Sequence, residues 1–122
     1  MYLIDTDIII YSLSGMPIVQ ENIAKTAQKP KSISVITYGE LRFGAAKSKH
    51  KMKNLATVKR IAELFPVIGL KKGIMDIFGE LKADLQKKGS PIDDFDLLNA
   101  SIAMYLNYTL VTNNEKHYKR VK

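Results

Sequence analysis

The fold is decided at the start of the chain, which reads Tyr2-Leu3-Ile4-Asp5-Thr6-Asp7-Ile8-Ile9-Ile10. The segment Tyr2–Ile4 is short and apolar, which is typical of a buried strand. The segment Thr6–Leu13 that follows predicts a turn and a short helix. A buried strand that leads directly into a helix is the building unit of a parallel α/β sheet.

The same alternation of short apolar strands and helices continues along the chain. Further strands are predicted over residues 32–35, 65–70 and 109–112. Further helices are predicted over residues 17–28, 37–47, 50–64, 73–88 and 96–106. Gly89 is expected to end the helix over residues 73–88. Because parallel strands need crossover connections, this pattern predicts a parallel sheet covered by helices on both faces.

Acidic and amide side chains follow the predicted strands, where parallel α/β sheets bind their ligands. They are Asp5 after the first strand, Glu40 one helical turn after the second, Asp93, Asp94 and Asp96 before the last helix, and Asn113, Asn114 and Glu115 after the fourth strand. Several carboxylates in one cleft repel each other unless a cation neutralises them. Oxygen ligands without Cys or a well-placed His favour Mg²⁺ or Mn²⁺ over Zn²⁺.

Composition and charge restrict the class of protein. With 122 residues the chain has room for one domain, residues 1–122, and its lack of Cys excludes disulfide frameworks and cysteine nucleophiles. No apolar run approaches the roughly 18 residues that span a bilayer, and we recognise no secretory signal, so a cytoplasmic protein is expected. The net charge of +7 favours nucleic acid as a partner. An acidic cleft on a basic protein is typical of a metal-dependent nuclease.

Each acid also has a purely structural interpretation. One residue among Asp5, Thr6 and Asp7 is expected to cap the first helix, and we assign the cap to Asp7 and the chemistry to Asp5. Thr37-Tyr38-Gly39-Glu40 matches the capping-box pattern, so Glu40 is either a cap partner or a metal ligand. The other residues with an alternative role, as caps, turn formers or surface groups, are Asp93, Asp94, Asp96, Asn113, Asn114, His50 and His117.

Four motifs occur in a fixed order along nearly the whole chain. They are Leu3-Ile4-Asp5-Thr6-Asp7-Ile8, Ser34-Val35-Ile36-Thr37-Tyr38-Gly39-Glu40-Leu41, the segment from Gly89-Ser90-Pro91-Ile92 to Asp96-Leu97-Leu98-Asn99-Ala100, and Leu110-Val111-Thr112-Asn113-Asn114. In this order and spacing they resemble the motifs of the PIN-domain ribonucleases, in particular the VapC-type toxins of type II toxin–antitoxin systems. Two residues depart from that pattern. Asp7 stands where Asn is usual, and Asn99 stands where an apolar residue is usual.

The resemblance implies a PIN fold, a three-layer α/β/α sandwich around a short parallel sheet of four or five strands. It also implies that the protein cleaves RNA with Mg²⁺ or Mn²⁺. The residues that match the family's site are Asp5, Glu40 and Asp96 as metal-binding and catalytic acids, and Asn114 as a fourth catalytic residue. Asp93 and Glu115 are candidates for an additional carboxylate.

The resemblance further implies two protein partners besides the RNA substrate. Family members usually form homodimers and are held inactive by a cognate VapB-type antitoxin, whose tail often places a basic side chain in the acidic cleft. The apolar faces of the helices predicted over residues 17–28 and 37–64 are candidates for the antitoxin surface. No membrane partner is expected.

Two other functions fit part of the sequence. A catalytically decayed PIN-like module would bind RNA without cutting it, although three matched acids argue against decay. Asp5-Thr6-Asp7 after a first strand also resembles the haloacid-dehalogenase phosphatases, in which Asp5 would be the nucleophile. The Gly-Thr pair that usually follows is missing, and the chain is short for that fold.

Overall fold

The computed structural model describes residues 1–13 and 30–112. Within them lie four strands, β1 (Tyr2–Ile4), β2 (Lys31–Ser34), β3 (Val67–Ile68) and β4 (Thr109–Val111). Five helices are described, α1 (Thr6–Leu13), α2 (Val35–Ala46), α3 (Lys51–Leu64), α4 (Lys72–Lys87) and α5 (Asp94–Leu106). The helix predicted over residues 17–28 lies outside the described residues.

The strands form one parallel sheet in the order β3-β2-β1-β4. In this sheet Leu3 lies opposite Ser32 of β2 on one side and Leu110 of β4 on the other. The chain proceeds from β1 to β2 and β3 in one direction and then returns to place β4 on the far side of β1. Strand order therefore reverses at the carboxyl end of β1, the position where open α/β sheets bind ligands.

The side chains of β1 alternate between two hydrophobic cores, as the pleat of a strand requires. Leu3 packs with Ile74, Ile102 and Ala103 of α4 and α5. Ile4 points to the other face, where its cluster contains residues of α1, α2 and α3. The sheet is thus covered by helices on both faces, and the predicted α/β/α sandwich with a four-stranded parallel sheet is confirmed.

The start of α1 corrects one prediction. The helix begins at Thr6, so Asp7 lies in its first turn. Asp5 precedes the helix, and its carbonyl accepts the Ile9 N–H at 3.4 Å, which is the first i→i+4 bond. Assigning the cap to Asp7 was therefore wrong.

The start of α2 corrects a second prediction. The helix begins at Val35 because the Ser34 hydroxyl accepts the Thr37 N–H at 3.0 Å, which makes Ser34 the N-cap. Thr37 is then the third residue of the helix, and Glu40 lies a turn further on. The capping-box interpretation of Thr37 and Glu40 is therefore wrong, and β2 ends at Ser34, one residue earlier than predicted.

The strand predicted over residues 65–70 is shorter than expected, since β3 covers only Val67–Ile68 and the Phe65 N–H still donates to the Ile61 carbonyl of the preceding helix at 2.9 Å. The ends of the described helices lie within two residues of the predicted ones. Helix α5 begins two residues earlier than predicted because Asp93 caps it by accepting the Phe95 N–H at 3.1 Å. Gly89 follows α4 with a φ of +69°, the left-handed conformation expected where a helix ends. In the part of the chain that the structure describes, no helix is long and apolar enough to span a bilayer.

Candidate active site

Asp5 stands at the carboxyl end of β1 and is 4% exposed. Its backbone N–H donates to the Val111 carbonyl at 2.9 Å, which ties this point of the chain to β4. The carboxylate accepts the Thr6 N–H at 2.8 Å on Oδ1 and the Thr112 hydroxyl at 2.8 Å on Oδ2. A buried carboxylate needs such donors, because burial without them would cost several kcal/mol.

Thr6 connects Asp5 to Glu40. Its hydroxyl donates to Glu40 Oε1 at 2.6 Å, while its backbone N–H donates to Asp5. The Thr6 and Thr37 hydroxyl oxygens are also 3.1 Å apart, and Thr37 is fully buried. One threonine at the start of α1 thus holds two acids that are 35 positions apart in the chain.

The pKa of Glu40 is influenced by its burial and by the acids around it. Burial raises this pKa above its ordinary value of 4.5, and the charges of Asp5, Asp96 and Asp93 raise it further. The hydrogen bond from Thr6 acts in the opposite direction. Because neighbouring carboxylates disfavour ionisation of Glu40, the four acids share one electrostatic environment.

The acids at the start of α5 have different roles. Asp93 is the helix cap, and Asp94 forms a surface ion pair with Lys82 at 3.0 Å. Asp96 lies in the first turn of α5 with a partly exposed side chain, and its charge acts on Glu40. Of these three, Asp96 fits the predicted site role, while capping and surface pairing account for Asp93 and Asp94.

Asn99 is a residue that the sequence interpretation noted only as a departure from the family pattern. It lies three positions after Asp96 on α5 and is 1% exposed. Its Nδ2 donates to Asp5 Oδ1 at 3.1 Å, and its Oδ1 accepts the Ser34 hydroxyl at 2.5 Å. An amide among the apolar residues that follow Asp96 was the available signal, since buried polar groups require partners.

Among the residues after β4, Thr112 contributes its hydrogen bond to Asp5, and His50 takes no part in the site. His50 is exposed and precedes α3, in agreement with its interpretation as a surface residue. The remaining candidates lie outside the described residues. They are Asn113, Asn114, Glu115 and His117.

The donor set suits a hard divalent cation, although it is not a ready-made cage. Within residues 1–13 and 30–112, no three His, Cys, Asp or Glu side chains lie close enough together to form a complete metal-binding group. Asp5 and Glu40 are joined through Thr6, and the charge of Asp96 acts on Glu40. Carboxylate oxygens are the ligands that Mg²⁺ prefers, and this cation usually keeps several waters and binds one or two carboxylates.

An apolar cavity of about 800 Å³ opens beside the acids. Thr6 and Glu40 belong to its lining, and exposed Phe43 and Phe95 form part of its apolar wall. The Lys47 ammonium group lies 4.9 Å from the centre of the Phe43 ring at the same cavity. The acidic site therefore continues into an open apolar surface with a cation beside it.

The fold and the site define an α/β/α protein with an acidic centre where the strand order of its sheet reverses. Among known families, the family model of the PIN domain matches residues 2–122. The chain belongs to the PIN-domain family.

Individual relatives are VapC proteins. Ribonuclease VapC2 of Rickettsia felis is 34% identical over 123 residues, which cover 99% of this chain and 92% of that protein. The tRNA(fMet)-specific endonuclease VapC of Shigella flexneri is 28% identical over 120 residues, which cover 98% of this chain and 91% of that protein. The crystal structure of VapBC2 from R. felis bound to a promoter DNA fragment matches with a TM-score of 0.89 and 34% identity, covering 98% of this chain and 91% of that one. The predicted resemblance to the VapC-type PIN ribonucleases is confirmed.

Proposed function

We propose that the protein is a Mg²⁺- or Mn²⁺-dependent endoribonuclease and the toxin of a toxin–antitoxin pair. The observation that carries this proposal is the position of Asp5, Glu40 and Asp96 where the strand order reverses, with the hydrogen bonds of Thr6 joining Asp5 to Glu40 and the pKa of Glu40 raised by burial and, to a smaller extent, by its acidic neighbours. A divalent cation would remove the repulsion among these carboxylates. The ribonuclease names of its relatives agree with this chemistry.

Each side chain has a defined task in this proposal. Asp5 and Asp96 hold the cation most directly, and Glu40 completes the acidic set. When bound, the cation supplies a water of lowered pKa and a positive charge beside the phosphate. Thr6 and Thr112 orient Asp5 through their hydrogen bonds, and Thr6 also orients Glu40. Asn114, which lies outside the described residues, is assigned to orient water or metal.

The substrate is RNA, which we expect to be a tRNA or another structured RNA in the cytoplasm. The net charge of +7 favours binding of a phosphate backbone. The Shigella relative is named as specific for tRNA(fMet), which makes total tRNA the first substrate to test.

The experiment is an RNA cleavage assay on purified, folded protein that is free of antitoxin. Wild type, Asp96→Asn and Asp84→Asn are compared on total tRNA with Mg²⁺, with Mn²⁺ and with EDTA. Asp84 is the matched control because it is an exposed aspartate on α4. We expect cleavage by wild type and Asp84→Asn, and none with EDTA or after Asp96→Asn.

Other results would refute the proposal and identify its alternatives. Cleavage that survives EDTA and Asp96→Asn would show that the acidic site is not the catalyst. Salt-dependent RNA binding without cleavage of any RNA would indicate the decayed binding module. Hydrolysis of small phosphomonoesters instead of RNA, lost in Asp5→Ala, would indicate the phosphatase.

We further propose that the cognate VapB-type antitoxin covers the apolar cavity beside Glu40. The similar R. felis structure is a VapBC complex, and the cavity here is lined by α2, which belongs to the region predicted for antitoxin binding. An apolar segment with a basic side chain near Glu40 would match both the wall and the acid. Homodimer formation stays a prediction.

The antitoxin surface is tested by placing a charge in the cavity wall. Phe43→Glu should weaken toxin–antitoxin association, measured by calorimetry, because burying an unpaired carboxylate is costly. Met75→Glu is the control, since Met75 is an exposed apolar residue on α4, outside both the cavity lining and the region predicted for the antitoxin. Equal affinities for both variants would place the antitoxin elsewhere.

A further inference from the structure

Asn99 makes hydrogen bonds to the ends of two neighbouring strands. Its Nδ2 donates to Asp5 at the end of β1, and its Oδ1 accepts from Ser34 at the end of β2. It lies itself on α5, three residues after Asp96 and so on the same side of that helix. All three residues that form this connection, Asn99, Asp5 and Ser34, are almost completely buried.

The hydrogen-bond directions leave one orientation for the Asn99 amide. The Thr37 backbone N–H can only donate, so Ser34 Oγ is the acceptor there and its own hydrogen is directed to Asn99 Oδ1. An ionised Asp5 can only accept, so it requires the amide nitrogen rather than the oxygen. Asp5 therefore sets the orientation of the amide, and the Ser34 hydroxyl completes it by donating to the amide oxygen.

This arrangement connects every element that carries an acid of the site. Asp5 follows β1, Glu40 lies on α2, whose N-cap is Ser34, and Asp96 lies on α5. The Asn99 side chain binds the first directly, the second through Ser34, and the third through its own backbone. A shift of one of these elements would stretch a hydrogen bond whose partners are buried and have no water to replace it.

We infer that Asn99 is a positioning residue of the acidic site, whose amide fixes the Asp5 carboxylate and holds the three acid-bearing elements in place. This inference rests on the proposed metal-dependent function. Partners of metal-binding carboxylates orient their oxygens, and removing such a partner typically weakens metal affinity 10- to 100-fold. Asn99 should therefore influence metal affinity without touching metal or RNA.

The test is Mn²⁺ binding by isothermal titration calorimetry, without RNA, to antitoxin-free protein. Asn99→Leu removes the amide and keeps a similar volume. The matched control is Ser101→Ala, which removes a buried hydroxyl from the same helix. The Ser101 hydroxyl donates to the Leu97 carbonyl at 2.7 Å. None of the hydrogen bonds in the described part of the chain joins Ser101 to an acid of the site.

We expect the dissociation constant for Mn²⁺ to rise at least about tenfold in Asn99→Leu and to stay within about twofold of wild type in Ser101→Ala. In the cleavage assay kcat at subsaturating Mn²⁺ should fall for Asn99→Leu while KM for RNA is unchanged. A role in stability alone would leave the Mn²⁺ affinity of the folded variant as it is.

Three results would overturn the inference, each in a distinguishable way. Unchanged Mn²⁺ affinity in folded Asn99→Leu would refute the positioning role and leave the proposed function intact. A wild type that neither binds Mn²⁺ nor cuts RNA would refute the proposed function, and the inference with it. Circular dichroism shows whether the variants fold. If both Asn99→Leu and Asn99→Ala fail to fold, the amide is needed for folding rather than for positioning.

Discussion

Replacing Ser34 by alanine should destabilise the protein more than any other single hydroxyl removal in the sheet. The Ser34 hydroxyl has two tasks at once, since it caps α2 by accepting the Thr37 N–H and donates to Asn99 Oδ1. Alanine preserves the backbone and removes both. The matched variant is Ser32→Ala, two residues earlier in β2, where an equally buried hydroxyl makes one neutral bond of 3.2 Å to the Tyr2 carbonyl.

The magnitude follows from the two bonds taken separately. Loss of a serine N-cap costs about 1 kcal/mol. Leaving the fully buried Asn99 oxygen without its donor costs about 1–3 kcal/mol more. Ser34→Ala should therefore lower the free energy of unfolding by about 2–4 kcal/mol, whereas Ser32→Ala, with one neutral bond, should lower it by about 1 kcal/mol. For a chain of this length each kcal/mol corresponds to roughly 3–5 °C in Tm.

Urea denaturation followed by circular dichroism measures both values, provided that the m-value is the same in the two variants and in wild type. The measurement is made in EDTA, so that metal binding adds nothing to stability. Equal losses for Ser34→Ala and Ser32→Ala would refute the claim that Ser34 has a double role. A difference of the expected size that disappears in an Asn99→Leu background would assign it to the Ser34–Asn99 bond.

Three further predictions concern charge, core packing and backbone conformation. Glu40→Gln should raise the Tm of the metal-free protein at pH 7.5, because the raised pKa of Glu40 means that the fold disfavours the ionised side chain. The gain in Tm should vanish at about pH 4, below the ordinary pKa of 4.5, where Glu40 is mostly protonated in both the folded and the unfolded state. A lower Tm for Glu40→Gln at pH 7.5 would contradict this reasoning. Ile102→Ala should cost about 2–5 kcal/mol in urea unfolding because Ile102 is fully buried, whereas Met104→Ala on the exposed side of the same helix should change stability by less than about 0.5 kcal/mol. Gly89→Ala should lower the free energy of unfolding by about 1 kcal/mol, because the φ of Gly89 is +69°. Gly89→Asn should lower it less, since Asn tolerates this conformation and no atom lies within 4 Å of an added Cβ. Equal losses for the two variants would show that packing, and not backbone conformation, causes the penalty.

The sequence predicted those parts of the fold that depend on local pattern. A strand that ends at Ile4 and meets a helix at Thr6 leaves Asp5 at the carboxyl end of β1, whatever the other strands do. The alternation of Leu3 and Ile4 follows from the pleat, and their two cores follow from helices on both faces. Local chemistry of this kind was sufficient to place Asp5 correctly.

The capping prediction for Thr37 and Glu40 failed because it depended on a contact between distant residues. Thr37-x-x-Glu40 and Ser34-x-x-Thr37 both offer a hydroxyl three residues before a possible partner, and pattern alone does not choose between them. The choice is made by burial, since Ser34 lies beneath α5 and bonds to Asn99, which is 65 positions away. Because Ser34 caps α2, Glu40 does not act as a cap partner, and its side chain accepts the hydrogen bond from Thr6 in the site.

The Asp5 carboxylate is held in the interior by three described hydrogen-bond donors. The Thr6 amide, the Asn99 amide and the Thr112 hydroxyl are all neutral donors. Such donors fix the direction of a carboxylate and offset part of its desolvation without cancelling its charge, whereas a lysine or arginine in the same place would cancel it. The hydrogen bonds that Asn99 makes to Asp5 and Ser34 are what Asn99→Leu and Ser34→Ala are designed to disturb.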